Sequence, residues 1–131
     1  MPRVTIEHLT VHADPRGCVF EPLGPDGLPE QRNVHVVVTE PGAVRGNHMH
    51  PRGTETLVMQ GPALFRHVDA GEVIDTEIPA GAVFRFTIPA GVPHALRNTG
   101  TAPNVAVSFV TVPHDSAAPN VVPVMLIPPD P

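Results

Sequence analysis

The chain has 131 residues, a net charge of −5 and 41% hydrophobic residues, which suits one domain with one packed core; it has no basic cluster, which argues against a nucleic-acid surface. Eighteen prolines and eleven glycines interrupt it too often for long helices, and the absence of lysine, tyrosine and tryptophan excludes Schiff-base catalysis and a phenolic acid. A single cysteine, Cys18, rules out an internal disulfide, so the chain reads as a reduced, cytoplasmic protein.

From the start, Val4 to Val11 reads as a strand, with neither a signal-peptide pattern nor a long apolar run that would indicate a membrane span. Asp14-Pro15-Arg16-Gly17 is a turn, Cys18 to Leu23 a short strand, and Gly24-Pro25-Asp26-Gly27 a second turn. Asn33 to Thr39 is a strong β run with Val34, Val36 and Val38 on one face and His35, Val37 and Thr39 on the other. Val44 to His50, Glu55 to Gln60, Ala63 to Val68, Glu72 to Ile78, Val83 to Ile88, Pro93 to Asn98 and Asn104 to Val112 follow as strands, separated by Gly- and Pro-containing turns. Short strands with turn signals at intervals of about 8 to 12 residues argue for an all-β sandwich or barrel. The Pro-rich tail, 113–131, contains Val121 to Ile127, too apolar for a free linker; it packs on the barrel, pairs with a second subunit, or forms an edge strand.

The chemistry concentrates in two places. Gly42 to Gly61 offers His48, His50 and Glu55, and Pro89 to Asn98 offers His94. Strand side chains alternate, so His48 and His50 share a face and Met49 takes the other. The turn at Pro51-Arg52-Gly53 returns the chain so that Glu55 approaches the same point. Three imidazoles and a carboxylate form a common donor set for one divalent transition metal, zinc, iron, nickel or manganese, rather than magnesium or calcium. His8, His12, His35, His67 and His114 have no partner at ligand spacing.

The paired segments resemble the motifs of the cupin superfamily. The first, G-x5-H-x-H-x(3,4)-E-x6-G, runs here as Gly42, His48, His50, Glu55 and Gly61, one residue short in the last gap. The second, G-x5-P-x-G-x2-H-x3-N, is matched by Pro89, Gly91, His94 and Asn98, with Gly81 two residues too far upstream. The resemblance covers about residues 14 to 112. It implies a double-stranded β-helix, or jelly roll, with the metal inside, and a single cupin domain over 1–131 whose last segment packs on the barrel or a partner subunit. Within the cupins, Asp14-Pro15-Arg16-Gly17 with Glu21 resembles the D-x-R-G-x-x-x-E segment of dTDP-4-dehydrorhamnose 3,5-epimerases. Arg45 to His50 resembles the R-G-x-H-x-H segment of dTDP-sugar 3,4-ketoisomerases. Gly46 to His50 with Thr54-Glu55 resembles the C-terminal cupin domain of CapF-type capsular polysaccharide enzymes, where the same positions bind zinc.

The chain departs from each group. It lacks the tyrosine acid of the 3,5-epimerases, has the Glu that the ketoisomerases generally lack, and reads as a cupin standing alone rather than following a reductase domain. The resemblance therefore implies a metal-binding cupin, an epimerase or isomerase that moves a proton beside the carbonyl of a small-molecule substrate, a sugar or nucleotide sugar. His35 and His67 are its candidate bases, provided their strand faces point inward, and Arg45 is a candidate for binding a substrate phosphate or carboxylate. Two alternatives stand beside it, a metal-dependent dioxygenase on a small organic acid or diketone and a non-catalytic ligand-binding cupin. A homodimer is expected, because β-forming segments at both ends are available for pairing.

Overall fold

The computed structural model describes residues 3–129. The domain expected over 1–131 runs past that range, so residues 1–2 and 130–131 lie outside the described residues. The chain begins with β1 (Thr5–His8) and a hairpin of β2 (His12–Asp14) and β3 (Gly17–Val19). After a 3₁₀ turn at Leu28–Glu30 come β4 (Asn33–Thr39), β5 (Val44–Met49), β6 (Glu55–Gln60), β7 (Ala63–Asp69) and β8 (Glu72–Ile78). β9 (Val83–Ile88), β10 (His94–Asn98), β11 (Asn104–Val110) and the short β12 (Val122–Pro123) complete it. Two five-stranded sheets result, in the orders β1-β9-β6-β11-β4 and β12-β5-β10-β7-β8. All their strand pairs are antiparallel. From β4 onward the chain changes sheet at every connection except β7 to β8, which is the jelly-roll path that the sequence implied.

Period-2 patterning builds the core. On β7, Ala63, Phe65 and His67 are buried while Leu64, Arg66 and Val68 are only partly so. The inner faces meet in one cluster, with Leu57, Met59, Phe86, Ile88 and Ala106 from the first sheet and Ala63, Phe65, Ile78 and Leu96 from the second. Phe65 and Phe86 stack across the gap with ring centroids 4.0 Å apart. Each of these fully buried rings contributes roughly 1.5–3 kcal/mol through removal from water.

β4 exposes the more apolar of its two faces. The register His35↔Ser108 and Val37↔Ala106 sets His35 and Val37 beside the inward-facing residues of β11. Val34, Val36 and Val38 therefore face outward and are exposed. The first expected strand is also shorter than its apolar pattern suggested. β1 ends at His8, and residues 12–19 form a separate hairpin around the Asp14–Arg16 turn, where Asp14 accepts bonds from the Arg16 amide and guanidinium. The expected strand Cys18 to Leu23 stops at Val19, ahead of Pro22 and Pro25, which offer no N–H to a ladder. The tail pairs within its own chain, with Val122 opposite Met49 and Pro123 opposite His48, and Ile127 is buried. Among the described residues no helix is long and apolar enough to cross a membrane.

Candidate metal centre

β5 brings His48 and His50 to one end of the barrel, and a bulge sets their approach. Opposite β10 the register jumps from His48↔His94 to Gly46↔Ala95, skipping Asn47. Gly46 and Asn47 both take positive φ there, +83° and +55°. A Cβ at position 46 would lie 2.9 Å from the His94 carbonyl oxygen, so only glycine allows β5 this close to β10. β6 starts at Glu55 after the turn through Gly53, and β10 starts at His94. The Gly91 amide donates to the His50 carbonyl (2.8 Å), fixing the turn ahead of His94 against the end of β5.

The four side chains converge. One ligand atom from each of His48, His50, Glu55 and His94 lies within 4.8 Å of all the others. Glu55 Oε1 is 3.1 Å from His50 Nε2 and 3.0 Å from His94 Nε2. Its other oxygen accepts a bond from Ser108 Oγ at 2.5 Å. Glu55, His94 and Ser108 are all buried.

The remaining ring nitrogens test whether a cation belongs here. His50 Nδ1 is 2.8 Å from the Asn120 carbonyl and His94 Nδ1 is 3.0 Å from the Val92 carbonyl. A carbonyl only accepts, so each Nδ1 carries the proton, and each neutral ring then aims its Nε2 lone pair at Glu55 Oε1. A lone pair facing an anionic oxygen at 3 Å is repulsive unless positive charge lies between them. Protons or a metal ion satisfy that demand, and nitrogen and carboxylate donors with outer backbone partners are what a divalent transition ion takes. The residues present fit such an ion.

Protons on the ring nitrogens, the other way of meeting that demand, set the following shifts. Burial raises the Glu55 carboxyl, but hydrogen bonds from His50 and His94, the His94 charge and the Ser108 bond outweigh it and hold the group well below the usual carboxylate range. Burial, with the nearby His94 and His50 charges, pushes His48 down to about 4 against the opposing pull of Glu55. His50 is pulled down by burial, yet the Glu55 bond and charge and the Asn120 carbonyl leave it above its ordinary value.

A cavity of about 310 Å³ opens over the four residues, lined also by His35, Val37, Arg45, Leu57 and Leu96. Of the two candidate bases, His35 lines it. His67 is buried beside His94 and Phe65, outside the lining, with its Nδ1 unpartnered. Burial is the main reason its imidazole sits below the ordinary value; the His94 charge adds to this and Asp69 opposes it. Arg45 reaches the cavity wall while donating to the Val38 carbonyl (2.9 Å). A larger hollow of about 490 Å³ lies around Gln60–Pro62 and Asn98–Val105, and its lining has no ionisable side chain. Sequence reasoning missed the structural duties of two motif residues. Asn98 donates to the carbonyls of Thr39 and Ala102, tying the end of β10 to its neighbours. Asn47 holds the tail, accepting from the Leu126 and Ile127 amides and donating to the Ile127 carbonyl. Only the positions of Asn98 and Asn47 in the motifs hinted at such roles.

The family model described as Cupin matches residues 12–126. No curated protein matches the chain in sequence. Among solved structures, the capsular polysaccharide assembling protein CapF from Staphylococcus aureus superposes with a TM-score of 0.67 at 24% identity, covering 90% of this chain and 33% of CapF. The chain thus spans about a third of that protein's length. The rmlC epimerase of Mycobacterium tuberculosis gives a TM-score of 0.69 at 17% identity, over 87% of this chain and 66% of that one. QdtA, a sugar 3,4-ketoisomerase from Thermoanaerobacterium thermosaccharolyticum solved in complex with TDP, gives 0.69 at 17%, over 91% and 86%. At such identities the likeness is one of fold.

Proposed function

The chain belongs to the cupin family, and on that premise we propose that it is a metal-binding sugar or sugar-nucleotide epimerase or isomerase that moves a proton next to a carbonyl. The observation that carries the reading is the convergence of two imidazole Nε2 atoms on one buried carboxylate oxygen, with both Nδ1 atoms engaged by carbonyls. His48, His50, Glu55 and His94 would hold the ion. When bound, a divalent transition metal supplies Lewis acidity towards a substrate carbonyl oxygen.

The chain's own residues supply the rest. His35, an exposed side chain on the Ser108 side of β4 and in the cavity lining, takes the proton from the carbon beside the carbonyl and returns it. With no tyrosine or lysine in the chain, proton transfer falls to an imidazole or a carboxylate. Arg45 offers a guanidinium at the cavity rim to a substrate phosphate or carboxylate. Val37, Leu57 and Leu96 line the cavity with apolar surface and limit water around the reacting carbon. At about 310 Å³ the cavity is near the small end for ligand sites, enough for one sugar ring with any nucleotide portion extending from the mouth. Support of a coarser kind comes from folds shared with an epimerase and a ketoisomerase.

The test is proton exchange. A true substrate incubated in D₂O gains deuterium at the carbon next to the carbonyl without net oxidation or oxygen uptake, and chelation abolishes the gain. The donor set also favours a second reading, a dioxygenase acting on a small organic acid or diketone, because three imidazoles and a carboxylate suit ferrous iron. Stoichiometric oxygen uptake with carbon–carbon cleavage would select it. Metal binding with no turnover of any keto-sugar or keto-acid would leave a ligand-binding cupin.

A further inference from the structure

The tail does more than cover a sheet edge. Residues 120–128 run back along the outer side of β5, the strand that leads into His48 and His50. The Val124 amide donates to the Asn47 carbonyl (2.8 Å). The Asn47 side chain bonds the backbone of Leu126 and Ile127 (2.9 Å each from their amides, 2.8 Å to the Ile127 carbonyl). Arg66 Nη1 donates to the Leu126 carbonyl at 3.1 Å. At the other end of the segment Asn120 makes a reciprocal clamp on the turn after His50. Its Oδ1 accepts from the Arg52 amide (3.0 Å) and its Nδ2 donates to the Arg52 carbonyl (2.7 Å). The clamp presents the Asn120 backbone carbonyl to His50 Nδ1 at 2.8 Å.

We propose that Asn120 is a positioning residue for the metal site: its clamped carbonyl fixes the tautomer and ring orientation of His50, so that docking of the C-terminal segment and metal binding stabilise each other. The inference rests on the metal-binding reading of His48, His50, Glu55 and His94. A ligand imidazole must offer an unprotonated nitrogen, and an acceptor on the opposite nitrogen is what keeps the proton away from it. His94 receives this acceptor from Val92, two residues away on its own loop. His50 receives it from 70 residues away, through a segment joined to the barrel by these hydrogen bonds, the β12–β5 pairing and the buried Ile127. Coupling between two such events is reciprocal, so what the segment gives to metal affinity, the metal returns to segment docking.

The experiment titrates the full chain with Zn²⁺ and with Co²⁺ against a competing chelator and compares variants. Asn120→Ala, which removes both clamp bonds, should weaken binding by about 10- to 100-fold. Asn120→Asp, which keeps the acceptor for the Arg52 amide, should fall between it and the unaltered chain. Met125→Ala, on the same segment but 66% exposed, should bind like the unaltered chain. Two readouts need no variant. Zinc should slow hydrogen exchange at the Val124, Leu126 and Ile127 amides, and imidazole nitrogen spectra of the zinc form should report the proton of His50 on Nδ1. An unaltered chain that binds neither ion would overturn the metal reading and this inference with it. Tight binding by the unaltered chain, with equal affinity in Asn120→Ala and no change in segment exchange, would overturn this inference alone. Should Asn120→Ala not fold, the exchange and nitrogen measurements decide: zinc-independent exchange, or the His50 proton on Nε2, counts against it.

Discussion

Ser108 shows how tightly the site is specified at single residues. Its side chain is fully buried, and its hydroxyl gives Glu55 Oε2 a partner while the two imidazoles face Oε1. Ser108→Ala leaves a buried carboxylate oxygen short of a donor, which should cost about 1–3 kcal/mol in chemical denaturation; a loss below the error of the measurement would mean that water replaces the hydroxyl. Protonation gives a second expectation, for chelator-stripped protein. The folded-state value of His48 is depressed to about 4 from 6.5, so its contribution to stability is present above 6.5 and lost as pH falls towards 4. Glu55 is depressed too, and its contribution is lost as pH falls below 4.5. His50 is raised, so its contribution has the opposite sign: it is complete below 6.5 and declines as pH rises through the folded value. The melting temperature of stripped protein should therefore drop between pH 6.5 and 4, an interval over which the His50 contribution is already complete and constant. A temperature that rises over that interval would contradict the burial of these groups. The convergence of the four side chains was legible because type and spacing coincide: H-x-H puts two imidazoles on one face, and the turn before Glu55 returns the chain. The Nδ1 partners were not, since they are backbone carbonyls, one of them 70 positions away.

Strands with crisp boundaries are those bracketed by proline or glycine. β6, β8 and β9 begin and end where Gly53, Gly61, Gly71, Pro79, Gly81 and Pro89 led the sequence reading to place them. Less was legible where pattern and packing diverge. β4 shows three valines to solvent because its register with β11 puts His35 beside Ser108, and alternation alone does not say which face is inside. The bulge at Gly46–Asn47 was hidden as well, since a jump in register depends on the partner strand. Its consequence is testable. Gly46→Ala combines a left-handed φ of +83° with a Cβ 2.9 Å from the His94 carbonyl oxygen, and backbone on both sides leaves little room to give. The substitution should cost roughly 1–3 kcal/mol and, by forcing β5 from β10, separate His48 from His94. Metal affinity should fall with stability, and a variant that keeps full affinity would show that the bulge is not needed to assemble the site.

For the whole molecule, the jelly-roll path and the cupin assignment followed from the order of the two motifs, whereas assembly did not. Both terminal segments pair within the chain, β1 on β9 and β12 on β5. β4 is left as an open edge of its sheet, with Val34, Val36 and Val38 exposed. An apolar edge of this kind is an association surface unless protected, and a homodimer by light scattering at micromolar concentration is the expected state; a monomer there would count against it. Elemental analysis of untagged protein alongside His94→Ala decides whether His48, His50, Glu55 and His94 form one metal centre on a barrel held by its own apolar core. The expected result for such a centre is about one transition ion per chain in the unaltered protein and a severe loss of metal in His94→Ala, which still folds. An unaltered protein without bound transition metal after loading, or a His94→Ala variant that keeps its ion, would contradict it.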